Sequence, residues 1–165
     1  MIVVSNSSPL ITLARAGQLD LLRQLFGRVH IAEEVHSEVV VLGVGRPAAE
    51  AVRKAEWIES HPTRSAVEML RLRSLHPLGA GELATVLLAC SLRAGLAIID
   101  ERAARRLAQA SGLAVMGCVG ILETGFRRGR VVDLCASYQE LLAQGIRIDR
   151  QILNRSLAAC GLPSL

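Results

Sequence analysis

Within its first ten residues the chain changes from a short apolar run to the start of a helix. This strand-to-helix pattern is the sequence feature that most limits the possible folds. Ile2–Val4 has the length of one buried strand, and polar residues follow it. Ser8 is a favourable N-cap and Pro9 suits the first helical position, so a helix through Arg15 is predicted. A strand that leads directly into a helix is the repeating unit of parallel α/β sheets.

The same alternation continues along the chain, which predicts an α/β fold with a parallel central sheet. Further strands are predicted at Val29–Ile31, Trp57–Ser60, Leu96–Ile99 and Leu113–Met116. Helical patterns include Ala32–Val41, Ala66–Leu75, Glu82–Arg93 and Leu134–Ala143. At 165 residues the chain fits a single domain, residues 1–165, with a C-terminal helical extension at about residues 132–165.

Composition narrows the functions that such a fold can have. Only 2% of the residues are aromatic, so stacking platforms for single-stranded nucleic acid are hard to build. The net charge is +4, and it is carried almost entirely by Arg, which binds phosphate bidentately. The cysteines form no CxxC pair and have no neighbouring His, which argues against a cysteine zinc site. We expect a cytoplasmic protein, because no apolar stretch reaches the length of a membrane span and the N-terminus lacks a basic signal region.

Acidic and amide side chains lie where predicted strands end and helices begin. Asn6 follows the first strand, Asp100 follows the fourth, and Glu82 begins a helix. In a parallel sheet the carboxyl ends of the strands meet at one edge, where ligands bind. Glu38 is a further candidate, and Glu34, one helical turn earlier, is its rival.

Together these side chains predict a divalent-metal site for phosphodiester hydrolysis. Mg²⁺ and Mn²⁺ prefer such oxygen ligands, and the bound metal activates water. Each residue also has a structural interpretation. Asp100 and Asn6 fit helix caps, Glu82 fits a complement to a helix dipole, and Glu38 fits a solvated side chain. The metal-site hypothesis therefore depends on their joint placement.

Two clusters of arginines are candidates for nucleic-acid binding through the phosphate backbone. Their members are Arg102, Arg105 and Arg106 in the first cluster, and Arg127, Arg128 and Arg130 in the second. Such contacts predict salt-sensitive binding that is largely independent of base sequence. Solvated surface charge is the alternative interpretation.

The segment from Gly43 to Ala48 matches the GxGxxA pattern of dinucleotide-binding folds. That fingerprint needs a strand before it and an acid about 20 residues later. Glu33–Val41, which precedes it, has a helical pattern, and Glu59 comes early for the ribose acid. A dinucleotide cofactor is therefore not expected.

Several short segments, taken in order, give the chain a resemblance to a known family. Val3–Ile11 resembles the opening of PIN-domain proteins, where a strand ends in an acidic residue followed by Ser. Gly81–Thr85 resembles the second half of that pattern, and Ile98–Arg102 resembles the late strand that ends in Asp. Further matching segments are Trp57-Ile58, Gly117–Gly120 and Arg127–Gly129. The resemblance covers essentially the whole chain and fits a prokaryotic PIN-like subfamily formerly of unknown function.

The resemblance implies a three-layer α/β/α, PIN-like fold and a metal-dependent ribonuclease, often the toxin of a toxin–antitoxin pair. RNA would be the substrate and Mg²⁺ or Mn²⁺ the cofactor, with an antitoxin protein and a second copy of the chain as partners. By position, the catalytic and metal-binding residues of the family correspond to Asn6, Glu38, Glu82 and Asp100. Ser8 matches the hydroxyl residue that supports the first ligand, and Cys118 stands where Thr or Ser is common.

Asn6 departs from the family pattern, which has Asp at this position. An amide oxygen can coordinate a hard cation but brings no charge, so we expect a lower metal affinity. Because Asn is nearly isosteric with Asp, we expect the fold to survive. The alternative function is a catalytically weak or inactive module that binds RNA or a protein.

Overall fold

Five short strands form one parallel sheet in the computed structural model, which describes residues 1–165. The strands are β1 (Val3–Ser5), β2 (Val29–Ala32), β3 (Ile58–His61), β4 (Leu96–Ile98) and β5 (Val115–Met116). Their order is β3-β2-β1-β4-β5, so the first strand is central and the chain builds the sheet outward on both sides of it. Val3 and Val4 are fully buried, as expected for a parallel strand that is covered on both faces.

Ten helices cover the sheet. They are α1 (Ser7–Arg15), α2 (Asp20–Phe26), α3 (Glu33–His36), α4 (Pro47–Lys54), α5 (Ala66–Leu75), α6 (Ala80–Ser91), α7 (Arg102–Ala110), α8 (Cys118–Arg127), α9 (Leu134–Ala143) and α10 (Arg150–Ala159). Helix α6 contacts β1, β2 and β4 and packs against α5 and α7, while α1 and α2 pack against α8. The predicted three-layer α/β/α fold with a central parallel sheet is confirmed. None of the helices is both long enough and apolar enough to cross a membrane.

One local prediction about helices was wrong, and one predicted helix changes its winding along its length. Helix α1 begins at Ser7, and its N-cap is Asn6 in an extended conformation, so Ser8 is not the cap. The segment predicted as one helix, Ala32–Val41, is the short helix α3 followed by a π-helix at Ser37–Val41. A π-turn contains an extra residue, so the fourfold spacing no longer places side chains on one face. This helical segment precedes the Gly43 loop, so the strand that a dinucleotide fingerprint requires is absent there.

The last two helices belong to the same hydrophobic core as the sheet. Leu134, Tyr138 and Leu141 of α9 and Leu153 and Leu157 of α10 are fully buried, and all belong to one cluster with the residues of β1 and β4. The C-terminal helical segment is therefore packed onto the layer formed by α8.

A buried hydrogen-bond chain ties these C-terminal helices together. The Tyr138 hydroxyl lies 2.6 Å from Oγ of Ser156, and Ser156 donates to Oε2 of Glu123 on α8 at 2.7 Å. Burial raises the pKa of Tyr138 to about 12, although the hydrogen bond with Ser156 opposes the shift. The folded protein thus favours the neutral phenol.

This shift predicts a loss of stability in base. The unfolded phenol has a pKa of about 10, so between about pH 10 and pH 12 the unfolded chain releases a proton that the folded protein keeps, and stability falls as pH rises. Between about pH 9 and pH 11 this group should cost about 1 kcal/mol. Tyr138→Phe should cost about 1 kcal/mol at pH 8 through the lost hydrogen bond but should show a smaller further loss in base. Urea unfolding of both proteins at each pH measures this, and an equal loss in base would contradict it.

Candidate active site

The site lies at the carboxyl ends of β1 and β4, which are neighbours in the sheet. Ser5 of β1 is in register with Ile98 of β4, so the residues that follow the two strands emerge side by side. Asn6 comes next on one strand, and Asp100 and Glu101 follow on the other. The strand order changes direction at β1, because β2 lies on one side of it and β4 on the other. In open parallel sheets, ligands bind at such a point.

Asn6 is buried and bonded to an acid that the sequence did not single out. Its side chain is 2% exposed, and Nδ2 donates to Oε2 of Glu101 at 3.1 Å. The hydroxyl of Ser8 donates to the other oxygen of Glu101. Thr85 on α6 lies 3.5 Å from Oδ1 of Asn6, a weak contact. Glu101 therefore accepts hydrogen bonds from two groups at the first βα turn, and its carboxylate is fixed there.

Glu38 contacts the same turn from the other side. Ser7 donates to Oε2 of Glu38, and the backbone N–H of Gly81 donates to Oε1 at 3.1 Å. A Cβ at position 81 would lie 2.6 Å from Oε2 of Glu38, so only glycine leaves room for this carboxylate. Glu34 points elsewhere and accepts a hydrogen bond from Thr63. Of the two rivals, the structure places Glu38 beside Ser7.

Asp100 is held by the start of α8. The backbone N–H of Cys118 donates to Oδ1 of Asp100 at 2.8 Å, and a Cβ on Gly117 would come within 2.7 Å of the same oxygen. Asp100 keeps an exposed side toward solvent, but the protein around its carboxyl raises its pKa. The Cys118 hydrogen bond lowers it, and the neighbouring charge of Glu101 raises it further.

Glu82 has a capping contact in this structure. Its Oε2 accepts a hydrogen bond from the backbone N–H of Gly79 at 2.8 Å, which satisfies one of the free donors at the start of α6. This is the structural role that the sequence offered as an alternative. Glu82 as a metal ligand stays a prediction.

The two supporting residues act differently from each other. Ser8 uses its hydroxyl, and its partner is Glu101. Cys118 uses its backbone N–H, while its thiol is buried and faces the carbonyl oxygen of Pro9 at 3.7 Å. Cys118 therefore supports Asp100 through its backbone, and a hydrogen bond from its side chain also lowers the pKa of that carboxyl.

No ion pair includes the acids of the site, although the positive charge of Arg105 lowers the pKa of Asp100. None of the ion pairs in the protein includes Glu38, Asp100 or Glu101. Like charges that approach one another repel unless a proton or a cation is shared. The ligand set of three carboxylates and one amide oxygen contains only hard oxygen donors, which fit Mg²⁺ or Mn²⁺.

A cleft of about 720 Å³ opens beside Asp100 and Glu101. Arg105 lines it and donates to the carbonyl oxygen of Ile99 at 2.8 Å. Arg147, in the loop before α10, also lines this cleft. The cleft thus presents basic side chains next to the acidic centre.

The arginines of the two predicted clusters differ in exposure and in their partners. Arg102 and Arg106 are exposed on α7 and form no ion pair, and Arg128 is likewise exposed. Arg127 is occupied, because it pairs with Glu123 and donates to the carbonyl oxygen of Ala159 at 2.8 Å. Arg127 therefore links α8 to α10 in this structure.

Sequence reasoning missed three residues that the structure brings to the site. Glu101 is the first, and the acidic doublet at the end of β4 was the available signal. Ser7 is the second, and it forms the central pair of hydroxyls with Ser8. Arg147 is the third, and nothing in its local sequence indicates that it lines the cleft.

A family model described as a PIN domain matches residues 2–161. The chain belongs to the PIN-domain family. PIN domains have a nuclease-like fold, generally that of metal-dependent ribonucleases, and they generally use divalent metals. No protein of curated function matches the chain. The family assignment therefore indicates a nuclease-like fold. It does not identify the side chains that bind metal or substrate.

The hydrogen bond between Asn6 and Glu101 predicts the effect of an acid at position 6. In wild type, Asn6 Nδ2 donates to Glu101, whereas in Asn6→Asp two carboxylates face each other at this position. The free energy of unfolding of the metal-free protein should therefore fall by about 1–3 kcal/mol. The double variant Asn6→Asp/Glu101→Gln exchanges the donor and acceptor and should recover most of this loss. Urea unfolding without metal measures both, and equal stability of Asn6→Asp and wild type would contradict the contact.

Gly81 predicts a second, steric effect. The methyl group of Gly81→Ala should displace the Glu38 carboxylate and lower Mn²⁺ affinity at least about 10-fold. The helix itself should tolerate Ala and gain up to about 1 kcal/mol. Gly79→Ala is the matched control, because its nearest contact would be Glu82 Oε2 at 3.7 Å. Calorimetric titration with Mn²⁺ compares the three proteins, and unchanged affinity in Gly81→Ala would show that Glu38 does not bind the metal.

Proposed function

We propose that this PIN domain is an endoribonuclease that requires Mg²⁺ or Mn²⁺. One observation supports it most strongly. The Asn6–Ser8 turn binds the carboxylates of Glu38 and Glu101, and Asp100 directly precedes Glu101 at the edge of the sheet where ligands bind. Side chains arranged in this way repel each other unless a cation joins them.

Glu38, Asp100 and Glu101 would hold the metal, and Asn6 would supply a neutral oxygen. The bound metal would polarise a phosphoryl oxygen and lower the pKa of water. Ser7 and Ser8 would keep Glu38 and Glu101 oriented through their hydroxyl hydrogen bonds, and the N–H of Cys118 would do the same for Asp100. Glu82 stays a predicted ligand that would first have to leave Gly79.

RNA is the proposed substrate, bound through its phosphates. Arg105 and Arg147 line the cleft beside the acidic centre, and the exposed Arg102 and Arg106 extend the basic surface along α7. Because the chain has few aromatic residues, recognition should depend on charge more than on base stacking. Arg127 and Arg128 are weaker candidates, since Arg127 already has two partners.

A second candidate function is a catalytically weak or silent PIN module that binds RNA or a protein. The observation that favours it is the pairing of Asn6 with Glu101. This hydrogen bond satisfies Glu101 in the absence of metal, so it competes with metal binding. The toxin role, the antitoxin partner, the homodimer and the cytoplasmic location are proposed from the family resemblance.

An RNA cleavage assay in the presence of Mn²⁺ distinguishes the nuclease from the silent module. If the nuclease proposal holds, the purified chain cleaves single-stranded RNA, and Asp100→Asn lowers the rate at least about 100-fold. Asn at this position still accepts the hydrogen bond from Cys118, so the fold should be preserved. Asp20→Asn is the matched control, because Asp20 is an exposed acid on α2 and should leave the rate unchanged.

Two outcomes would contradict the nuclease proposal. Cleavage that persists in Asp100→Asn would identify a contaminating nuclease. A wild-type protein that binds RNA but never cleaves it, with binding unaltered in Asp100→Asn, would establish the silent module instead.

A further inference from the structure

Two histidines and a glutamate lie together on the outer part of the sheet, away from the acidic centre. His30 is on β2, and Glu59 and His61 are on the edge strand β3. His30 is in register with Glu59, and Glu59 and His61 are two residues apart, so all three side chains project from the same face. His61 also lines a small cavity of about 130 Å³ with Leu87 of α6, which identifies this face as the one that α6 covers.

The distances between the ligand atoms suit a single metal ion. Nδ1 of His30 lies 2.9 Å from Nε2 of His61 and 3.4 Å from Oε2 of Glu59. All three ligand atoms lie within 4.8 Å of one another. Tetrahedral zinc with bonds of about 2.0–2.1 Å places neighbouring ligand atoms about 3.3 Å apart. The His30–His61 and His30–Glu59 distances would therefore need to change by only a few tenths of an ångström.

The surroundings of the cluster favour ligands that are ready to bind a cation. Arg28 holds Oε1 of Glu59 and leaves Oε2 directed at His30. The His30 side chain is only 16% exposed, and it faces both His61 and Glu59. The neutral imidazole carries the lone pair that a metal needs.

We propose that His30, Glu59 and His61 form a second metal centre, which binds Zn²⁺ or a similar divalent transition metal. Two imidazole nitrogens and one carboxylate are a borderline ligand set, which selects zinc-like ions over Mg²⁺. The three ligands leave a coordination position for water. Because they come from two adjacent strands, the ion joins the edge strand β3 to β2 and binds only the folded chain. This centre is separate from the all-oxygen site and does not depend on the proposed nuclease function.

Zinc titration of the full-length chain tests the proposal. Calorimetry should show one Zn²⁺ site in wild type, and His61→Gln should weaken it at least about 100-fold. His76→Gln changes the histidine that caps the C-terminus of α5, outside the cluster, and should leave the affinity unchanged. Asp100→Asn and Cys90→Ser should also bind Zn²⁺ normally, which separates this centre from the acidic site and from the exposed thiol.

A second readout is local to β3. Trp57 is the only tryptophan and lies two residues before Glu59, so Co²⁺ at the cluster should quench its fluorescence in wild type but not in His61→Gln. Saturating Zn²⁺ should also raise the melting temperature of wild type and not of His61→Gln, provided that both are folded by circular dichroism. Equal Zn²⁺ affinity in the two proteins, or Zn²⁺ binding no tighter than that of Mg²⁺, would overturn the proposal.

Discussion

The parallel pairing of β1 with β4 places Asn6 beside Glu101, and the rest of the site depends on this register. Ser5 pairs with Ile98, so the chain leaves both strands at the same edge of the sheet. The next residues of β1 begin helix α1 with two hydroxyls that reach two different acids. A slip of one residue would turn these side chains to the other face and would separate them. The site is therefore a consequence of sheet geometry more than of any single residue.

Charge balance explains how the neutral residue at position 6 is accommodated. A carboxylate there would face Glu101 at hydrogen-bonding distance, and the metal-free protein would carry the repulsion. Asn6 replaces that repulsion with a donated hydrogen bond at 3.1 Å. Glu101 supplies a carboxylate beside Asn6, where the family pattern has Asp at position 6 itself. In this interpretation Asn6 and Glu101 function as a pair, and metal binding requires the amide to give up its contact with Glu101.

Much of the fold follows from the sequence because its elements are short and clearly bounded. The strand–helix transition at Val4 and the helices Ala66–Leu75 and Leu134–Ala143 depend on local patterns of apolar and capping residues. Asn6, Glu38 and Asp100 could be proposed for the same reason, since strand ends and helix faces place them. Their placement near one edge of the sheet was inferred from the topology of parallel sheets.

Other features depend on contacts that no local pattern encodes. Glu38, which lies in the π-turn after His36, approaches Ser7, whereas Glu34 does not. The backbone conformation after β4 places Glu101, and not Asp100, beside Asn6. The capping contact of Glu82 depends on how the Gly79 turn closes. The cluster of His30 with His61 joins residues that are distant in sequence, and only the pairing of β2 with β3 brings them together.

We propose that a divalent cation binds among Glu38, Asp100 and Glu101. Anomalous diffraction from crystals soaked in Mn²⁺ tests it directly. The predicted result is a manganese peak bonded to at least two of these carboxylates, with Asn6 turned so that its oxygen faces the ion. A map without a peak there, in which Asn6 still donates to Glu101, would contradict the claim.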